Sequence, residues 1–525
     1  MITPLPLQRK SPTIGAQARR STIAWWLWFL GLLGLTALIG LLFLRRTPTP
    51  AVIGWLLFLV CAAAVLYQPR YGVYLITGLS LVGDSLLDPW YPFVKNLSSA
   101  ESLLYLGRAT SFSPAEIFIV LTFLTWLGRA AMQRKFNGHT GPLFWPALIF
   151  SGFITFGLIY GILKRGNITI ALWEVRAIYY LPMMLILTTN LIETRAHINH
   201  LIWIAVGALF IDALTGAWFV AFVLNFDLQS MEAIAEHSYS VHLNTLIILM
   251  IGVWLFRGSL VKRFLLPLMM PPVLLSYFAN QRRASYITLV IALLLIAIVL
   301  YRENRKAFWL IIPIACVIGA VYVGVFWNST SGSIGGPARA IRSVISPQPG
   351  GRDDASNVYR VIENVNTKFT IMQHPLTGVG FGNKFYIIAP MPDISFFIWW
   401  EYITHNSILW MWMQTGVGGF ASMLFLIGMA VIVGVRTLWR MPGGDLSAFA
   451  LMATLYIVMH FIYAYVDMSW EGQSMIYVGT MMGLINSIEH IVAKPVPRLP
   501  RRWPWQPEAA AAPELQPLYM NAPNG

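Results

Sequence analysis

The residues able to do chemistry in this chain begin with His405-Asn406, which is followed after nine residues by Gly416-Val417-Gly418-Gly419. An imidazole titrates near neutrality, so one held at a membrane boundary can take or give a proton. At about 100° per residue, Gly416 falls roughly three turns below His405 and Gly419 roughly four. That puts all three on one stripe, under which a neighbouring helix could approach closely. Arginines are the second ingredient. Arg282 and Arg283 occupy a very short connection between two apolar runs, Arg176 lies in Trp173-Glu174-Val175-Arg176, and Arg360 lies on the polar side of a helical pattern. Guanidinium groups suit phosphate oxygens through paired, charge-assisted hydrogen bonds. Snorkelling to an interface is the competing role, and for Arg176 so is pairing with Glu174. Glu401, four residues before His405, could raise the imidazole pKa or orient its ring. His237 and His242 flank another helix start and could contribute, whereas His139, His197 and His200 read as loop or packing residues. No HExxH or paired His/Cys spacing supports a metal site, and no cofactor motif is present.

The elements that must position these groups are membrane helices. Of 525 residues, 57% are apolar and 11% charged. Apolar runs near 22–44, 51–67, 71–87, 114–131, 143–163, 171–190, 199–224, 239–257, 264–280, 284–301, 308–327, 405–436, 447–467 and 474–489 are each about long enough to cross a bilayer. The expected fold is therefore an all-α polytopic membrane protein with about 12–14 transmembrane helices. Basic residues mark alternate loops: Arg9, Lys10, Arg19 and Arg20; Arg134 and Lys135; Arg257, Lys262 and Arg263; Arg302, Arg305 and Lys306; Arg436 and Arg440. Acids mark the others, namely Asp84, Asp88 and Glu101; Asp227, Glu232 and Glu236; Asp467 and Glu471. The positive-inside tendency then puts both termini in the cytoplasm and His405 on the opposite side, with Arg45 and Arg46 in local conflict. The net charge of +14 reflects basic loops against anionic headgroups and implies no nucleic-acid partner. Cys61 and Cys316 fall inside apolar runs, so no disulfide framework is expected.

The organisation reads as a basic N-terminal segment (1–21), transmembrane helices (22–327), one outer loop (328–404), helices carrying the His-Asn motif (405–490) and a Pro/Ala-rich tail (491–525). The start of the loop, 329–351, is rich in Gly, Ser and Pro and should be flexible. Asp353, Asp354 and Ser356 offer N-cap chemistry. Val358, Val361, Ile362, Val365, Phe369 and Met372 then recur with helical period, predicting an amphipathic helix of about 17 residues that Pro375 ends. Gly378, Gly380 and Gly382 make a tight turn that either donates amides to an anion or merely redirects the chain. Phe396, Phe397, Trp399, Trp400 and Tyr402 form an aromatic belt, or a platform for sugar rings or a polyprenyl chain.

His405-Asn406-x9-Gly416-x2-Gly419 resembles the signature of the O-antigen ligase and O-antigen polymerase superfamily. Tyr359-Arg360, the segment His374-Pro375-Leu376-Thr377-Gly378-Val379-Gly380 and the helix start Arg282-Arg283-Ala284-Ser285 resemble the same family in the same order. The resemblance implies a metal-independent, inverting membrane glycosyltransferase of the bacterial inner membrane. Such an enzyme moves glycan from undecaprenyl pyrophosphate to a glycan or lipid acceptor on the periplasmic side, in exopolysaccharide, lipopolysaccharide or O-antigen biosynthesis, alongside polysaccharide assembly proteins. It makes His405 the catalytic histidine, supported by Asn406, Gly416 and Gly419, and Arg282 or Arg283 with Arg360 the pyrophosphate-binding groups. Where ligases carry arginine-x3-leucine, this chain has Arg283-Ala-Ser-Tyr-Ile287, which tilts the comparison toward polymerases. A transporter or flippase of lipid-linked sugar is the alternative from another class. It would need charges near the midplane and internal symmetry, and neither is evident.

Overall fold

The computed structural model describes residues 50–134, 138–228, 231, 233–329, 334–346, 352–392 and 399–493. The basic N-terminal segment, the first apolar run with Arg45 and Arg46, Lys135, Glu232, Phe396, Phe397 and the tail from 494 lie outside the described residues. Among the described residues every ordered element is helical, and eleven helices are long and apolar enough to cross a membrane. In hydrocarbon a helix satisfies its own backbone, which is why continuous apolar runs take this form.

In chain order the helices are α1 (Pro50–Tyr67), α2 (Arg70–Val82), α3 (Pro114–Met132), α4 (Phe144–Leu163), α5 (Ile168–Leu191) and α6 (Arg195–Trp218), which runs into a π-turn (Phe219–Val223). Next come α7 (Tyr239–Leu255), α8 (Leu260–Ala279), α9 (Arg283–Glu303) and α10 (Arg305–Phe326). Then follow α11 (Gly336–Ile345), α12 (Arg352–Gln373), α13 (Ser407–Arg440), α14 (Asp445–Val466) and α15 (Gly472–Ala493). Each apolar run from residue 51 onward is a helix. The run at 71–87 is cut to 13 residues because Gly83 leaves the helix in an extended conformation.

The core is built on α5, α14 and α15. Gly479 and Gly483 on α15 face Leu181 O and Leu185 O of α5, where an added Cβ would come within 2.4 and 2.8 Å of those oxygens. Small residues at such a crossing let backbones touch, which drives helix association in lipid. By contrast, α10 has no buried residue and, among the described residues, packs mainly on α9 and α11.

The two ends of the bundle differ in charge. At one end Lys262 meets Asp445 at 2.7 Å, Arg440 meets Glu489 at 3.3 Å, and Arg129 caps the carbonyls of Leu66 and Tyr67. At the other end lie Asp84, Glu236, Asp467 and Glu471, together with His405. There the Asp84 carboxylate accepts the amides of Leu86, Leu87 and Glu236, while burial and neighbouring Glu236 push its pKa up to about 6.

Two expectations for the loop are corrected. The 329–351 stretch contains a ten-residue helix, α11, whose Arg342 donates to the carbonyls of Trp327 and Ser329. The amphipathic helix starts at Arg352 and runs 22 residues, so Asp353, Asp354 and Ser356 lie in its first turns rather than capping it.

Candidate functional site

His405 sits immediately before α13, and its partner comes from α12. The Glu363 carboxylate, 2% exposed, accepts the His405 backbone amide at 2.8 Å and faces the ring Nδ1 at 3.1 Å. Tyr359, one turn earlier on α12, meets the imidazole edge-on at 5.4 Å between ring centroids. Burial lowers the imidazole pKa, but the Glu363 hydrogen bond and charge, with Asp467, outweigh it; Arg360 opposes them, and the net shift is upward. A carboxylate on Nδ1 fixes the tautomer and leaves Nε2 to accept a proton. Among the described residues Nε2 has no hydrogen-bond partner. The expected partner, Glu401, instead pairs with Lys384 at 2.5 Å. The His405 pKa, read by histidine-selective NMR, should therefore fall in Glu363→Gln and stay in place in Glu401→Gln.

Asp467, in the α14–α15 connection, joins the second half of the site. Its carboxylate lies 3.0 Å from His237 Nδ1 and 3.6 Å from Arg360 Nη2. Burial raises its pKa, yet His237, Arg360 and His405 together hold it well below the usual carboxylate range. Glu471 beside it is pushed well up by burial and by neighbouring Glu236, Asp84 and Asp467, toward the neutral acid. Arg282 occupies the N-cap position of α9, at the same end of the bundle. His405, Arg360, Arg282, Glu363, His237 and Asp467 thus gather at one end of the bundle. Arg283 is the first residue of α9 and is partly buried.

Arg176 is not brought there. It donates to Asn96 Oδ1 at 2.6 Å and Ser111 O at 2.9 Å, with Glu116 at 3.9 Å, and so ties α5 to the 83–113 segment. Glu174, its expected partner, accepts the Gly382 amide at 2.7 Å and Gln414 Nε2 at 3.3 Å. Trp399 stacks on Trp173 with centroids 4.4 Å apart, and Tyr402 O accepts from Trp410 and Gln414. His242 lies deeper in the bundle against Ser474.

The glycines act on backbone rather than on an anion. The amide of Gly378 donates to His374 O, Val379 to Met413 O, Gly380 to Gln414 O, Phe381 to Gly157 O, and Val417 returns to Pro375 O. With Gly382 on Glu174, each amide from Gly378 to Gly382 is already donated within the protein. Gly378, Gly380 and Gly382 all take positive φ, the region where a Cβ is penalised. Gly416 does not extend a stripe beneath His405. It breaks α13 at φ 68° and ψ −173°, and the close approach is made by the 375–380 turn. Gly419 has its own Thr415 side chain, rather than a neighbouring helix, over its open face. Asn406 is the N-cap of α13, its Oδ1 accepting the Leu409 amide at 3.0 Å.

Sequence reasoning missed Glu363, Asp467 as a site member, and the Gly157/Gly161 pair of α4 that seats Phe381. The last had a readable signal, a Gly-x3-Gly spacing in an apolar run. Asp467 had a weaker one, an acid at a helix end; Glu363 had only its place on the polar face of α12.

The fold and the site define a polytopic membrane protein with a histidine–carboxylate pair and arginines gathered at one end of its helix bundle. Residues 268–424 match the family model described as O-antigen ligase. That match places the segment from α8 through the first half of α13, with His405, Arg282, Arg283 and Arg360 but not Arg176, in the O-antigen ligase superfamily. No curated protein matches the chain.

Proposed function

We propose that the protein is a membrane glycosyltransferase that moves or polymerises glycan carried on undecaprenyl pyrophosphate at the periplasmic face of the bacterial inner membrane. The observation that carries this reading is the Glu363–His405 pair beside Arg360, inside the segment that matches the O-antigen ligase family model. His405 Nε2 takes the proton from the acceptor hydroxyl as its oxygen bonds to the anomeric carbon. The bond to the pyrophosphate oxygen breaks on the opposite face, its electron pair stays with the leaving group, and the anomeric configuration inverts. Arg360 and Arg282 meet the charge that develops there. Among the described residues Arg360 Nε is buried without an acceptor, which makes it a candidate donor for a phosphate oxygen. In this scheme Arg282, at the N-cap of α9, is the pyrophosphate-binding member of the Arg282-Arg283 pair. Arg176 holds the 83–113 segment instead.

Placement of the site end in the periplasm rests on the loops: basic residues mark the connections at the other end, and Asp84, Glu236, Asp467 and Glu471 those at the site end. The test is the lipid-linked pool of cells lacking the protein. Single lipid-linked repeats mark a polymerase, and long lipid-linked polymer marks a ligase acting on a lipid or protein acceptor. An unchanged pool, together with flux of lipid-linked sugar in proteoliposomes without bond formation, would replace the reading with a flippase.

A further inference from the structure

The amphipathicity of α12 is turned inside out. At about 100° per residue, Val358, Val361, Val365, Phe369 and Met372 fall on one stripe, with Leu376 continuing it past the helix end. Val361 is 62% exposed, Met372 67% and Leu376 74%. The opposite face is polar and buried. There Glu363 holds His405, Asn366 binds the backbone of Ile388 and Ala389, and Thr370 accepts the Tyr386 amide. A helix in water shows the reverse arrangement.

Depth decides what covers the stripe. Glu363 bonds the amide of His405, and Pro375 accepts the amide of Val417, the same offset of 42 residues, so α12 descends alongside the first turns of α13. The turn that follows bonds Gly157 and lies against Gly161 of α4. Helix α4 has 20 residues, about 30 Å at 1.5 Å per residue, which is the thickness of the hydrocarbon layer. Gly157 lies six residues inside its end at Leu163, roughly 9 Å below the boundary. Phe156 and Ile159 of α4 and Phe425 of α13 are exposed apolar side chains on the two helices this turn packs against, so the lower end of the stripe lies at the depth of their apolar surface.

We propose that α12 is an interfacial helix whose apolar stripe, from Val365 to Leu376, contacts the acyl chains of the leaflet at the site end. The upper turns, near Ala355, stand in water. Because Arg360 and Glu363 are on the same helix, lipid contact on one face sets how deep the His405 partner sits on the other. This inference rests on geometry alone and stands whether or not the glycosyltransferase reading does.

The experiment places a nitroxide label at Ala355→Cys, Val365→Cys and Met372→Cys, in a background lacking Cys61 and Cys316, in the full-length protein reconstituted in phosphatidylglycerol–phosphatidylethanolamine vesicles. Power saturation should give an oxygen-to-nickel-chelate accessibility ratio several-fold higher at positions 365 and 372 than at 355, rising with depth. Equal, water-like ratios at all three would overturn the proposal. So would spin–spin broadening at 372 that disappears on dilution with unlabelled protein, because a second copy would then cover the stripe.

Discussion

His405→Ala should lower glycan transfer by ~10²–10⁴-fold, the usual contribution of a positioned general base. The protein itself should persist in the membrane. Glu363, the group left behind, keeps the backbone amide of residue 405 as a donor at 2.8 Å, so the change does not strand a wholly unpaired carboxylate. Adding Glu363→Gln to His405→Ala should cost almost nothing more, because the carboxylate acts through the imidazole and residues working as a unit are not additive. Glu363→Gln alone should leave measurable activity. Its acid limb should move to lower pH, since the carboxylate raises the His405 pKa and the base must be neutral to work. The measurement is the rate of product formation from lipid-linked donor against pH, with protein level and thermal stability checked in parallel. A folded His405→Ala protein that makes full-length product at the normal rate would exclude the imidazole as base.

Much of the positional information was legible because it depends on chain periodicity and boundary charge. Apolar runs fixed where helices fall; His405 and Arg282 stood out as ionisable groups at their ends, and Arg360 on the polar side of the loop helix. Glu363 was not legible in the same way. It lies on the polar face of a loop helix, and such a face ordinarily points to water. Apart from Glu363 itself, that face is made of Tyr359, Asn366, Thr367 and Thr370, hydroxyls and amides rather than the many charged side chains of a solvated surface. Each of them bar Tyr359 is buried, and Glu363, Asn366 and Thr370 supply hydrogen bonds to neighbouring backbone. Arg176 misled for the opposite reason. It lies more than two turns inside α5 rather than at a helix end, and its partners Asn96 and Ser111 come from a segment whose path no periodicity predicts.

The glycines gave half an answer, and Gly416→Ala tests the other half. The tight turn at Gly378, Gly380 and Gly382 was readable, as an anion site or a simple change of direction, but Gly416 read as part of a helical stripe when it breaks the helix and meets another stretch of backbone. At Gly416 a Cβ would sit 2.0 Å from Leu376 O and 2.4 Å from Leu376 C, both backbone atoms that no rotamer change can move aside. Relief would have to come from displacing the turn, and with it the bonds Val379 N to Met413 O, Gly380 N to Gln414 O and Val417 N to Pro375 O. Adopting φ near 68° costs a non-glycine residue ~1–3 kcal/mol before any clash is counted. The total should exceed ~4 kcal/mol, in the rare tail of single substitutions. Gly428, on the same helix, has nothing within 4 Å of its would-be Cβ. Gly428→Ala should therefore be neutral or stabilising by ~0.5–1 kcal/mol. Thermal unfolding of the two variants in detergent should separate them widely. Equal stability would mean that the 375–382 turn is not spliced into the α13 break, and the position of α12, with Glu363 on it, would lose its anchor.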